Sequence, residues 1–201
     1  MLRIIAGTAR GRRLEAPEGR DTRPTLDRVR ENLFNMLQGK CLDARVLDLF
    51  AGSGALSLEA LSRGADFAIL ADRDREAVRI QRKNLESLGF SPQARVLQSP
   101  WEATLRVLRA ENERFDLIFL DPPYAMRDLQ KLTESLRTLL NPEGWIVIEH
   151  QAEQRPRISE GYRTVKERAW GYCGVTILEA EEAGSGMEEA ERSASGREGE
   201  A

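Results

Sequence analysis

The sequence predicts an α/β fold: a Rossmann-like, seven-stranded and mostly parallel sheet with helices on both faces, preceded by an N-terminal β-hairpin. Three observations predict it. Short apolar runs bounded by turn residues, V-L-D-L-F at 46–50 and L-I-F-L at 117–120, have the length and continuity of strands buried on both faces. Longer stretches with apolar residues at helical spacing separate them, as parallel strands require. Gly52-Ser53-Gly54 follows the first such strand directly, where small residues let the backbone turn tightly into a helix and approach a ligand.

Taken in order, residues 2–17 read as two short strands around a turn from Gly7 to Gly11, carrying Arg3, Arg10, Arg12 and Arg13. The first thirty residues hold eight arginines against Glu15, Glu18, Asp21 and Asp27, the densest basic stretch of the chain. Such an arm suits phosphate contacts, which are salt-dependent and blind to sequence, so Arg3, Arg10, Arg12, Arg13 and Arg23 are candidate nucleic-acid contacts. Pro24 precedes Thr25, a suitable N-cap, and Leu26, Val29, Leu33, Phe34 and Leu37 follow at helical spacing until Gly39. If this helix runs antiparallel to the first strand, its polar entrance reaches the sheet edge that carries Asp121.

Strands are then expected at 45–51, 67–71, 95–98, 117–120 and 145–149, and helices at 55–63, 75–88, 101–109 and 129–140. Asn141-Pro142-Glu143-Gly144 reads as a turn, and strands at 162–167 and 175–179 complete the sheet, the last one antiparallel. No internal repeat is visible.

Residues 1–182 are expected to form one domain, with 1–22 as its basic extension; 183–201 are Gly, Ser, Ala and Glu with almost no large apolar residue and read as a disordered acidic tail. The net charge of −3 conceals this asymmetry, since residues 1–178 hold 28 basic and 25 acidic side chains and carry +3. No apolar run has membrane-spanning length and the N-terminus has no signal-peptide core, which predicts a cytosolic protein with no membrane partner. Cys41 and Cys173 are far apart and outside metal-binding spacings, so buried thiols are expected rather than a disulfide or zinc site. His150 is the only histidine, which argues against a Ser/His/Asp triad and for a structural role or a place at the site's rim.

Two motifs carry chemistry. Asp48 near the end of the first strand, Ala51, Gly52 and Gly54 in the turn, and Asp72 at the end of the second strand form a nucleoside signal. The spaced acid is placed to accept both ribose hydroxyls. A dinucleotide fingerprint would continue to a third glycine; Ser57 stands there instead, which weakens a nicotinamide reading. The second motif, Asp121-Pro122-Pro123-Tyr124, lies at the carboxyl end of a buried strand, the edge where open α/β sheets bind ligands. The prolines fix the backbone and cannot donate, leaving the Asp121 and Pro122 carbonyls as rigid acceptors beside an aromatic ring. That set suits a flat partner bearing an amino group.

D-P-P-Y resembles the motif of methyltransferases that modify exocyclic amines of nucleobases. There the Asp121 carboxylate and Pro122 carbonyl would grip the amine hydrogens and Tyr124 would stack on the base. Together with I-I-A-G-x-x-R-G-R-x-L near the start, R-P-T-x-D-R-V-R-E-x-L-F-N at 23–35 and V-L-D-L-F-A-G-S-G at 46–54, it resembles the RsmD family of 16S ribosomal RNA guanine-N2 methyltransferases, over roughly residues 2–180. The resemblance implies a class I methyltransferase fold and S-adenosylmethionine as cofactor. It implies a guanine of 16S RNA as acceptor, within the small subunit or an assembly intermediate, and a monomer acting without metal. It places Thr25, Asp48, Ala51, Gly52, Gly54, Asp72, Arg73, Ser99 and Asp121 around the cofactor. Ser99 stands where many methyltransferases place an acid for the adenine amine, so a serine or a backbone group must serve there. Ala9 replaces an aromatic residue frequent in the family's hairpin. Two other readings share parts of this pattern: a DNA adenine-N6 methyltransferase, which usually adds a recognition domain, and a noncatalytic RNA-binding assembly factor.

Overall fold

The structure is a computed structural model and describes residues 2–17, 24–123 and 125–181; the side chains of 24–27 also fall outside the description. Seven strands form one sheet: β1 (Arg45–Asp48), β2 (Phe67–Asp72), β3 (Ala94–Gln98), β4 (Phe115–Leu120), β5 (Leu140–Gln151), β6 (Tyr162–Trp170) and β7 (Cys173–Ala180). Their order is β3-β2-β1-β4-β5-β7-β6. The first five run parallel, and β7 inserts antiparallel between β5 and β6. The order reverses between β1 and β4, so the carboxyl ends of these two strands flank the crevice in which such sheets bind ligands.

Helices α1 (Pro24–Leu37), α2 (Ala55–Ser62), α3 (Arg75–Leu88), α4 (Trp101–Ala110) and α5 (Gln130–Leu136) cover both faces. Strand alternation sorts the core into two layers. Val46, Leu117, Phe119, Val147 and Val175 pack with α1, α2 and the N-terminal hairpin, while Leu47, Ile118, Leu120, Ile146 and Ile148 pack with α4 and α5. Among the described residues no helix is long and apolar enough to cross a membrane.

Several expectations change in detail. Helix α1 begins at Pro24, so Thr25 lies inside the first turn rather than capping it; proline suits that entry because its missing N–H would have no partner there. The hairpin has one bridging pair, Arg3 with Arg13, instead of two strands. It is held instead by α2: the buried Glu59 carboxylate accepts the Ile5 and Ala6 amides at 2.7 and 3.0 Å, and Ser62 Oγ accepts the Ala9 amide at 3.0 Å. Gly7 lies so close that a Cβ there would sit 1.7 Å from the Ser62 carbonyl oxygen. Helix α5 ends at Leu136, and the expected turn at 141–144 survives only as a bend within β5, where Glu143 takes φ 60°. The bend is accommodated by a register shift opposite Asp116, whose carboxylate accepts the Arg45 amide at 2.8 Å and the Asn141 side-chain amide at 2.7 Å. The acidic tail falls outside the described residues.

Helix α1 does run antiparallel to the strands beneath it. Phe34 packs on Phe119 with ring centroids 5.9 Å apart, toward the carboxyl end of β4. Just beyond the helix's last turn, Lys40 lies 4.8 Å over the Trp145 ring and donates to the Glu143 carbonyl, at the amino end of β5. The helix entrance at Pro24 therefore comes to the sheet's carboxyl edge.

Candidate active site

The turn after β1 is fastened from three directions. Asp72, at the end of β2, accepts the Gly52 amide at 2.9 Å through one oxygen and the Asp74 amide at 2.9 Å through the other. From α3, the buried Gln81 and Asn84 donate their side-chain amides to the Gly52 and Ser53 carbonyls, both at 3.0 Å. Asn84 also exchanges two hydrogen bonds with the Glu15 backbone and so ties the hairpin to the turn. Gly54 caps α2 at φ 81°, and a Cβ there would approach Leu70 Cδ2 to 2.8 Å. Neither Gln81 nor Asn84 was legible as a site residue in the sequence. Their one signal is polarity on the inward face of an amphipathic helix, which a buried partner must satisfy.

Asp48 is 1% exposed and sits behind the turn, where its Oδ2 accepts the Ser57 hydroxyl at 3.0 Å. Burial pushes its carboxyl up to about 7, reinforced by the nearby Asp72, while the Ser57 hydroxyl and the Phe50 and Ser57 amides act in the opposite direction. Its Oδ1 and the Gln81 Oε1 lack a full hydrogen bond of their own although both are buried. A glycine turn whose backbone is held rigidly from behind, with two buried carbonyl or carboxyl oxygens beside it, suits a small polar ligand such as S-adenosylmethionine. Ser57, which breaks the dinucleotide pattern, thus holds the turn's supporting acid.

Of the other residues expected around a cofactor, Ala51 is buried and donates its amide to the Ala71 carbonyl at 3.1 Å. Arg73 is exposed at the crevice edge. The Ser99 hydroxyl is paired with Thr104 Oγ1 at 2.6 Å, and its amide donates to the Asp72 carbonyl at 3.1 Å. The side chain of Thr25 lies outside the described residues.

Across the switch point, Leu49 N donates to the Phe119 carbonyl at 3.3 Å, which brings the start of the glycine turn alongside the end of β4. Asp121 and Pro122 follow Leu120 there, half-buried and buried respectively. Because Leu120 faces α4 and α5, alternation turns Asp121 toward the opposite layer, the one that holds α1 and α2. Cys173, a residue of that layer, feels the Asp121 charge. Tyr124 lies outside the described residues, as does Arg23. The loop beyond is closed by Met126 N donating to the Pro123 carbonyl at 2.7 Å and is bridged to the loop after β5 through Asp128 and Arg157. A shallow open cleft lies beside it, bordered by Pro122, Pro123, Met126, Arg127, Glu149 and His150. His150 is structural: it is buried, with Nε2 at 2.9 Å from Thr176 Oγ1.

Cys41 and Cys173 are free and buried; burial raises the Cys41 thiol to about 11. Arg3, Arg10, Arg12 and Arg13 are exposed along the hairpin, and Arg12 also donates to the Ser87 carbonyl. Among the described arginines of the basic stretch, Arg30 turns inward, donating to the Arg3 carbonyl. Ala9 is buried beneath the hairpin, so in this chain the position packs instead of presenting a ring to solvent.

Comparison with known proteins agrees with this architecture. Residues 2–179 match the family model described as conserved hypothetical protein 95. The chain is 40% identical over 164 residues to ribosomal RNA small subunit methyltransferase D of Escherichia coli strain K12, covering 82% of this chain and 79% of that one. It is 35% identical over 183 residues to the Haemophilus influenzae protein of the same name, covering 89% and 93%. The solved structure of yhhF from Escherichia coli superposes with a TM-score of 0.77 at 35% identity, covering 90% of this chain and 98% of that one.

Proposed function

The chain belongs to the ribosomal RNA small subunit methyltransferase D family, and we propose that it transfers a methyl group from S-adenosylmethionine to the N2 amine of one guanine in 16S ribosomal RNA. The acceptor in this reading is the small subunit or an assembly intermediate. The observation that carries it is the position of Asp121-Pro122-Pro123 directly after β4, across the switch point from the glycine turn that follows β1. S-adenosylmethionine supplies a methyl group on a positively charged sulfur, and transfer leaves a neutral thioether.

The turn at Gly52–Gly54 and Asp72 hold the donor, with Asp48 supporting the turn from behind. Asp121 and the Pro122 carbonyl accept the two hydrogens of the guanine amine, turning its lone pair toward the methyl carbon. The amine so held would take the methyl group that S-adenosylmethionine supplies, and Asp121 would accept the proton the amine sheds. Alignment of this kind contributes about 7–11 kcal/mol, and each charge-assisted hydrogen bond about 1.5–3 kcal/mol. A base within a helix must first be extruded, at a cost of about a few kcal/mol, and Tyr124 is proposed to stack on it. Arg3, Arg10, Arg12, Arg13 and Arg23 would grip RNA phosphates.

Mass spectrometry of small-subunit RNA from cells with and without the protein tests this reading. One N2-methylguanine that disappears with the gene is the expected outcome. Methylation of duplex DNA adenine by the purified protein, or no binding of S-adenosylmethionine in calorimetry, would refute it.

A further inference from the structure

A second carboxylate stands beside Asp121. Leu120 of β4 and Ile148 of β5 are paired neighbours, so Asp121 and Glu149 follow them side by side, at the spacing of adjacent strands, about 4.8 Å. Leu120 and Ile148 both face α4 and α5, which turns Asp121 and Glu149 together toward the layer of the glycine turn. Cys173 of β7 lies in that same layer, where its thiol donates to the Gly174 carbonyl at 3.8 Å and feels the charge of both acids. Burial raises the Glu149 carboxyl, which the neighbouring Cys173 thiol and His150 partly offset.

Two adjacent acceptors match one purine edge and oppose another. Guanine presents two donors in succession, the N2 amine and N1–H. Adenine presents its N6 amine beside a bare N1, whose lone pair would face the second carboxylate. We propose that Glu149 accepts the guanine N1–H while Asp121 holds the neighbouring N2 amine, and that this pairing of carboxylates selects guanine. The inference rests on the function proposed above. It adds a specificity-determining residue to that site.

The experiment replaces the methylated guanine, once mapped, with 2,6-diaminopurine in reconstituted small-subunit RNA. This base keeps the 2-amine but offers an unprotonated N1. The wild-type protein is expected to prefer guanine by about 100-fold or more, because a site built around a hydrogen bond rejects the analogue lacking it. Glu149→Gln, whose amide donates to a bare N1, is expected to lower transfer to guanine and shrink the preference to about tenfold or less. Calorimetry with S-adenosylmethionine should give the variant an affinity within about twofold of wild type, as expected if Glu149 touches only the base. A wild-type protein that treats the two bases alike overturns the inference even if the variant does not fold. So does a Glu149→Gln enzyme that still transfers with an unchanged preference. Methylation at a group other than guanine N2 would instead overturn the underlying function.

Discussion

The two halves of the site are built differently. The donor half, Gly52–Gly54, is a turn whose backbone is bound by Asp72, Gln81 and Asn84 and underlain by the Asp48–Ser57 pair. In the acceptor half, from Asp121 to Leu129, two prolines set the backbone, Met126 donates to the Pro123 carbonyl, Arg157 and Leu129 tie the stretch to the loop after β5 through backbone bonds, and Asp128 accepts the Gln130 amide. The donor is a small molecule of one shape, and a fixed cradle serves it. In the reading proposed above the acceptor is one base of a large folded RNA, which a few fixed acceptors on a loop would meet. Substitutions in the two halves should therefore separate: acceptor-side variants lose transfer, and donor-side variants lose cofactor affinity and stability.

The sharpest separation comes from Asp121→Ala. It should cut methyl transfer by about 10³-fold or more, since positioning and a charge-assisted hydrogen bond are both lost, while calorimetry gives S-adenosylmethionine affinity within about threefold of wild type. Parallel losses of affinity and rate would show that Asp121 belongs to the donor half.

Asp48 probes the other half through pH. Its carboxyl is raised to about 7 by burial, from about 3.9 in an unfolded chain. Between those values the folded state holds a proton that the unfolded state has released, so stability falls as pH rises from about 4 through 7. Asp48→Asn removes the titration. The variant should match wild type below about pH 4 in relative terms and exceed it by on the order of 4 kcal/mol at pH 8. Denaturant midpoints across that range check it, and a pH-independent difference would contradict the assigned protonation.

Gln81→Ala should be milder. The Gly52 carbonyl loses its buried donor, which costs about 1–3 kcal/mol, read as a roughly 10- to 100-fold weaker cofactor affinity with the transfer rate at saturation nearly preserved. A lower saturated rate with unchanged affinity would break the division between the halves.

Much of this frame was readable in the chain. The apolar runs and the glycine turn give the sheet and its switch point because strand burial and backbone approach leave local marks. Asp121-Pro122-Pro123 marks the carboxyl end of β4 for the same reason. What the chain hid is tertiary. Glu59 looks like one more helix acid, yet it is buried and accepts two hairpin amides. Gln81 and Asn84 gain their role only when α3 lies along the turn. Asp116 carries no local sign that it bridges a shift in strand register. Glu149 reads as the polar end of a strand until β4 sets Asp121 beside it. The α5–β5 boundary was misplaced because N-P-E-G has turn chemistry, and the sheet absorbs that turn as a bend.

Ser99 is the finest test of the donor half. Its place at the end of β3 makes its hydroxyl a candidate contact for the adenine amine, but that hydroxyl is already bonded to Thr104 at 2.6 Å, within a half-buried corner. A hydroxyl has one proton to give. If Thr104 donates to it, Ser99 can still serve the ligand, whereas if Ser99 donates, its remaining lone pair still accepts from an amine. In either case the pair keeps its partner, and the backbone around Ser99 is fixed by its amide bond to Asp72. Ser99→Ala should therefore weaken S-adenosylmethionine by only about threefold or less, under 1 kcal/mol. A tenfold loss by calorimetry, absent in Thr104→Val, would move adenine recognition from the backbone to the Ser99 hydroxyl itself.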